Sequence, residues 1–214
     1  MRQMDSIGIG SLIIISIISV FIGAVLTVQT AYQLVSPLIA NSVIGEVIRD
    51  STILEMAPTI TCLVLAGKVG SNIASELATM KVTEQIDAME VMGVNVPGYL
   101  VGPKIIAAMV VIPVLIIISI FLSIGGGLLA GIASDLFTTN EYVQGLQTNF
   151  KPFSVTLCMI KAVTFSFIIT SVSAFQGLYT SGGALEVGKS STKAVVYSCI
   201  LILLFDYIIA GLLL

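Results

Sequence analysis

The chain has 214 residues, 57% of them hydrophobic and only 10% charged, with a formal net charge of −3 and a mean hydropathy of +1.09. A soluble domain carries about 25% charged residues to cover its surface, so this composition excludes a water-solvated globule. The acidic balance, without any cluster of Lys and Arg, excludes a nucleic-acid binder.

Lipid must then solvate much of the surface, and in lipid only helices or closed barrels satisfy the backbone. The apolar runs are long and continuous rather than alternating, which selects helices over a barrel. The chain has no histidine, so His-dependent metal and triad chemistry is excluded. Cys62, Cys158 and Cys199 fall inside apolar runs without metal-ligand spacing and read as small buried hydrophobes.

The first predicted span covers Ile7 to Ala31, within a stretch free of charge from Asp5 to Glu46. It exceeds the apolar core of a signal peptide, typically about 7–15 residues, and is read as a retained helix. A polar, turn-rich segment runs from Ser36-Pro37 to Arg49-Asp50-Ser51. The second span, about 52–77, is interrupted by Glu55 and Lys68. A polar segment from Glu76 to Pro97 follows, then a third span at about 105–134. Within it, Gly127-x-x-x-Gly131 either permits close helix approach or is a coincidence of a Gly-rich chain. Asp135 to Pro152 reads as a loop, and spans four and five cover about 153–175 and 194–214. The whole of 1–214 is expected to form one transmembrane domain.

The Lys and Arg distribution orients the bundle. With a cytoplasmic N-terminus, Arg2, Lys81, Lys104, Lys189 and Lys193 lie inside, whereas Arg49 and Lys151 lie outside. The C-terminus then ends on the far, periplasmic side.

Charge inside a membrane is costly and marks candidate functional positions. At about 1.5 Å per residue, Glu55 sits roughly 5 Å inside the outer end of its span, and Lys161 and Asp206 both sit roughly 12 Å from theirs. Equal depth on consecutive antiparallel helices makes Lys161 and Asp206 a natural ion pair. That pair either locks two helices together or, with Glu55, lines a cavity that meets a charged headgroup. Lys68 lies near the cytoplasmic end, where its stem can snorkel to the interface.

Between spans two and three, Val82, Ile86, Met89 and Met92 recur at helical spacing. Gly93 and Pro97 supply a stop, and Thr83 is placed to cap the start. The polar face is acidic, unlike that of a helix resting on an anionic leaflet, so docking to a protein is expected.

The stretch Gly67 to Val94 (GKVGSNIASELATMKVTEQIDAMEVMGV) resembles the signature of the MlaE/YrbE permease family, continued by Tyr99-Leu100-Val101 and Pro103-Lys104. Gly182 to Val196 (GGALEVGKSSTKAVV), followed by Asp206, is a second match, and together they span nearly the whole chain.

The resemblance implies an all-α membrane protein, a polytopic bundle of about five transmembrane helices with a short cytoplasmic coupling helix at about 83–93. It implies the permease subunit of an ABC transporter that moves phospholipid between the inner and outer membranes of Gram-negative bacteria. The partners it implies are a second copy of the chain, a cytoplasmic ABC ATPase that carries ATP and magnesium, and a periplasmic MCE-type lipid-binding protein. No catalytic residue, metal or cofactor is then expected in this chain. Glu84, Gln85, Asp87, Ala88, Glu90 and Met92 would contact the ATPase, and Glu55, Lys161 and Asp206 would line or support the lipid pocket. Family members usually carry an amphipathic interfacial helix before the first span. Only Met1 to Ser6 precede it here, so either that element is lacking or the start is truncated.

Gly183-Ala184-Leu185-Glu186-Val187-Gly188-Lys189-Ser190 satisfies the phosphate-loop pattern. Such a loop needs a preceding strand and a soluble domain. Here it joins two spans, so nucleotide binding is not assigned to it. The alternative function is a secondary transporter using Glu55, Lys161 and Asp206 as a relay, a class that often shows internal repeats. No such repeat is visible, and the acidic helix would go unexplained. A purely structural scaffold would leave that helix unexplained too.

Overall fold

A computed structural model describes residues 2–34 and 42–213, with side chains from Ile7 onward. The turn predicted at Ser36-Pro37 lies outside the described residues. Five helices are long and apolar enough to cross a membrane, and no strand occurs among the described residues.

Helix α1 is Arg2–Gln33. Helix α2 runs through Ser42–Val82, and α3 is the short helix Gln85–Val91. Helix α4 is Pro97–Ala133, and α5 is Thr139–Gln147. Helices α6, Pro152–Leu178, and α7, Ala184–Leu213, complete the fold. At about 1.5 Å per residue, α2 alone is roughly 60 Å long, twice the hydrocarbon thickness. Its ends must therefore project beyond the membrane.

These helices are inside-out relative to a soluble core. Along α1 the buried stripe is Ile7, Ser11, Ile15, Ser19, Gly23, Thr27 and Thr30, whereas Ile9, Ile13, Ile17, Phe21 and Val25 are exposed. The pattern suits lipid: small and polar residues let helices approach, and large apolar ones face the acyl chains. Helix α7 repeats it, burying Ser190, Ala194, Ser198 and Ile202 at four-residue intervals.

Helix α2 is not uniform. Thr52–Ile60 and Ala66–Gly70 are π-helical, as is the first turn of α4, Pro97–Val101. Pro58 lies inside the first of these. Proline removes one backbone donor and pushes its ring towards the carbonyl four residues back. The wider π turn accommodates both effects without breaking the helix.

Two compact units are present, one built from Met1–Ser11, Cys62–Pro113 and Lys161–Leu214, the other from Leu12–Thr61 and Val114–Ile160. Helices α1, α2, α4 and α6 each contribute a part to both.

In the second unit, α1 and α4 come together at glycines. A Cβ on Gly23 would strike the Ser123 carbonyl, and one on Gly126 the Val20 backbone. The Gly127-x-x-x-Gly131 stripe faces other partners: Gly127 lies against Thr27 and Tyr142, and Gly131 against the Phe137 ring. The Ser19 and Ser119 hydroxyls share a hydrogen bond across the same contact at 2.8 Å.

The structure corrects several boundaries. Residues 42–51, predicted as turn-rich, form the first three turns of α2, with Ile44, Gly45, Ile48 and Arg49 buried. The predicted 135–152 loop contains α5, started by a capping box in which Thr138 and Glu141 satisfy each other's backbone donors. The last helix begins at Ala184 rather than 194, because its polar first turns remain helical outside the apolar stretch, aided by the Lys189–Glu186 pair at 2.6 Å. Residues 184–190, nearly all of the phosphate-loop pattern, are therefore helical.

Candidate functional site

Lys161 and Asp206 meet within the first unit. Lys161 Nζ lies 2.6 Å from Asp206 Oδ1, and the lysine side chain is 0% exposed. The contact is an ion pair by distance rather than an aligned hydrogen bond. Four-residue spacing on α7 sets Asp206 one turn beyond buried Ile202 and Ser198, on the inward stripe. On α6, Leu157, Cys158, Ala162 and Phe165 bury the same face as Lys161. A charge so enclosed costs several kcal/mol unless paired.

Glu55 belongs to the second unit. It is half-buried in the π-helical part of α2, where the Thr59 hydroxyl donates to its carboxylate at a long 3.5 Å. Beside it, Met56 and Ile60 of α2 join Ile17, Phe21, Val25 and Gln29 of α1 around an apolar groove of about 420 Å³. The groove carries a single amide, that of Gln29, as its polar side chain. Glu55 stands out in the sequence but this groove does not, because its walls come from two helices.

The short helix α3 is fixed by one ion pair and one buried apolar side chain. Lys81, at the end of α2, pairs with Asp87, and Ile86 is buried beneath the helix. Thr83 does not cap the start of α3; its hydroxyl donates back to the Thr79 carbonyl and so ends α2. Glu84 takes the position before the first turn with φ +58, a left-handed conformation that lets the chain reverse direction between the two helices. The exposed side carries Glu84, Gln85, Ala88 and Glu90, with Val91 89% and Met92 72% exposed. Met92 therefore does not share the packed face with Ile86, contrary to its helical spacing, since α3 ends at Val91.

Other charges are held in ways the sequence does not announce. Lys104, expected on the cytoplasmic side at the head of the third span, is 2% exposed and bonds Glu76 at 2.6 Å. Arg49 is also buried. It donates to the carbonyls of Leu146 at 2.9 Å and Thr148 at 2.6 Å, closing the end of α5, and lies over the Phe150 ring. Lys68 does not snorkel outward; its ammonium donates to the Gly10 carbonyl on α1. The Thr138-x-x-Glu141 spacing is the visible signal for α5, and with it for the partner of Arg49.

Five membrane-length helices, small residues turned inward and charges held within the bundle define a polytopic α-helical membrane protein. A more specific assignment follows from comparison with known proteins. The family model described as Permease MlaE matches residues 1–212, and the chain belongs to the MlaE permease family. A probable ABC transporter permease protein of Rickettsia prowazekii is 39% identical over 211 residues, covering 99% of this chain and 81% of the relative. A probable ABC transporter permease protein of Synechocystis is 36% identical over 214 residues, with 99% and 80% covered. The chloroplastic protein Trigalactosyldiacylglycerol 1 of Arabidopsis thaliana is 32% identical over 211 residues, with 99% and 60% covered.

Proposed function

We propose that this chain is the permease subunit of an ABC transporter that moves phospholipid between the inner and outer membranes of a Gram-negative envelope. It works as a homodimer in the inner membrane, with the N-terminus cytoplasmic and the C-terminus periplasmic. A separate cytoplasmic ATPase hydrolyses ATP with magnesium, and an MCE-type protein exchanges lipid on the periplasmic side. The observation that carries this reading is the family match across residues 1–212. A relative that bears the name of a diacylglycerol lipid supports a lipid substrate.

In this mechanism the acyl chains occupy apolar surface such as the groove beside Met56 and Ile60. Glu55, Lys161 and Asp206 support the polar part of the pocket. Helix α3 receives the ATPase: Ala88, Val91 and Met92 offer apolar contact, and Glu84, Gln85 and Glu90 a polar rim. Asp87 acts through its pair with Lys81, which ties α3 to the end of α2.

Replacing Ala88 by Arg and Met92 by Asp tests the coupling role without touching that pair. The ATPase should be lost on co-purification while the permease stays inserted. Undiminished co-purification would remove α3 from this role. If purified complexes never contain an ATPase, the relay reading of a secondary transporter takes precedence.

A further inference from the structure

Lys68, Asn72 and Glu76 succeed one another at four-residue intervals on α2 and so share a face. That face borders a small cavity of about 30 Å³, whose remaining walls are Ile7, Ser11, Val69 and Ile73. All seven residues belong to the first unit.

Among the described side chains, the charges around this cavity do not balance. Glu76 is taken by Lys104 at 2.6 Å. Among the described residues no carboxylate pairs with Lys68, whose ammonium bonds only the Gly10 carbonyl. A carbonyl dipole offsets part of the cost of an ammonium in a membrane helix, but it leaves the net charge in place. An ammonium has three protons, so two donors remain.

Ser11 points to the same cavity independently. Ser16, Ser19 and Thr27 of the same helix each donate to the carbonyl four residues back. The Ser11 hydroxyl does not; it is fully buried and, among the described residues, without a hydrogen-bond partner. A buried hydroxyl left in that state costs about 1–3 kcal/mol, a cost that an acceptor in the cavity would remove.

We infer that Ser11, Lys68 and Asn72 bind a phosphate group, and that its ordinary source is the headgroup of a membrane phospholipid. The cavity has room for about one water-sized atom group, enough for a phosphate oxygen but not for a whole headgroup. The rest of the ligand must lie outside, where Val64, one turn before Lys68 on the same face of α2, is partly exposed. An anionic head next to an apolar surface is the chemistry of a phospholipid. In the proposed orientation this is the cytoplasmic leaflet, a position distinct from the pocket assigned to Glu55, Lys161 and Asp206. The leaflet rests on that orientation, whereas the phosphate contact does not.

The test uses the full chain, delipidated in mild detergent, with phosphatidylglycerol, diacylglycerol and inorganic phosphate as separate probes. Native mass spectrometry counts the bound lipid, and titration gives its affinity. Lys68→Gln should retain one fewer phosphatidylglycerol, and Ser11→Ala should weaken that same molecule about tenfold, the scale of one lost hydrogen bond to a charged group. Lys68→Arg should restore it. Competition by inorganic phosphate would show that the phosphate alone suffices; its absence, with phosphatidylglycerol still preferred over diacylglycerol, would show that the lipid headgroup is read. Equal binding of diacylglycerol, or unchanged binding in Lys68→Gln, would overturn the inference. Should Lys68→Gln fail to fold, Ser11→Ala and Asn72→Ala take its place: weakened phosphatidylglycerol binding supports the site, and unchanged binding in both overturns it. No readout depends on ATP or on transport, so this site and the proposed function fail separately.

Discussion

Lys161 places an ammonium where no surface is exposed, and the carboxylate of Asp206 at 2.6 Å offsets its charge. Replacing Lys161 alone with Ala leaves Asp206 uncompensated, and the expected loss is about 3–5 kcal/mol of stability. The Lys161→Met, Asp206→Leu double variant removes both charges at similar volume and should recover most of that loss. Thermal unfolding in detergent reads the recovery, and lipid transfer measured on the same double variant separates roles. Recovered folding with recovered transfer marks a structural lock; recovered folding without transfer marks a functional pair.

Tyr142 is held as firmly by other means. Its hydroxyl donates to the Ile124 carbonyl at 3.1 Å and its ring stacks on Phe137. Burial pushes the phenol up to about 12. A folded pKa raised above the unfolded value of about 10 means the contribution is complete below pH 10 and is lost as pH rises towards 12. Alkaline titration of tyrosinate absorbance should therefore show one late phase that is missing in Tyr142→Phe. A single phase near pH 10 would contradict the burial.

Elements were legible in proportion to the purity of their apolar runs. The spans near 7–31, 105–134 and 153–175 stand out because charge is rare or absent in them, and the structure places long helices there. Residues 42–51 and α5 escaped because each is a short amphipathic helix of low mean apolarity between spans, although the Thr138–Glu141 box was visible. The glycine contacts between α1 and α4 could not be read from one helix, since Gly23 matters only because the Ser123 backbone lies against it. Gly23→Ala should force α1 from α4 and lower thermal stability by several degrees for a cost of about 1–3 kcal/mol. Gly125→Ala, at a glycine with open space around it, is the matched control and should be close to neutral. Equal effects of the two substitutions would refute the close approach.

At the scale of the whole molecule, the membrane class follows from composition and the family from a motif that covers both the second span and the short helix. The pairing of Lys161 with Asp206 was legible from equal depth on adjacent spans. The apolar groove beside Glu55 was not, because its walls come from two helices and a carboxylate on one of them carries no sign of the other. The partner of Lys68 was equally hidden, since a backbone carbonyl leaves no mark in a sequence. In the proposed function this permease works with an ATPase and carries lipid. Purification of the chain with its co-expressed genomic neighbours in mild detergent, followed by mass spectrometry of bound subunits and lipids, tests both parts at once. A stoichiometric ATPase together with retained phospholipid is the expected result. A chain that purifies alone, with neither ATPase nor phospholipid, would contradict it.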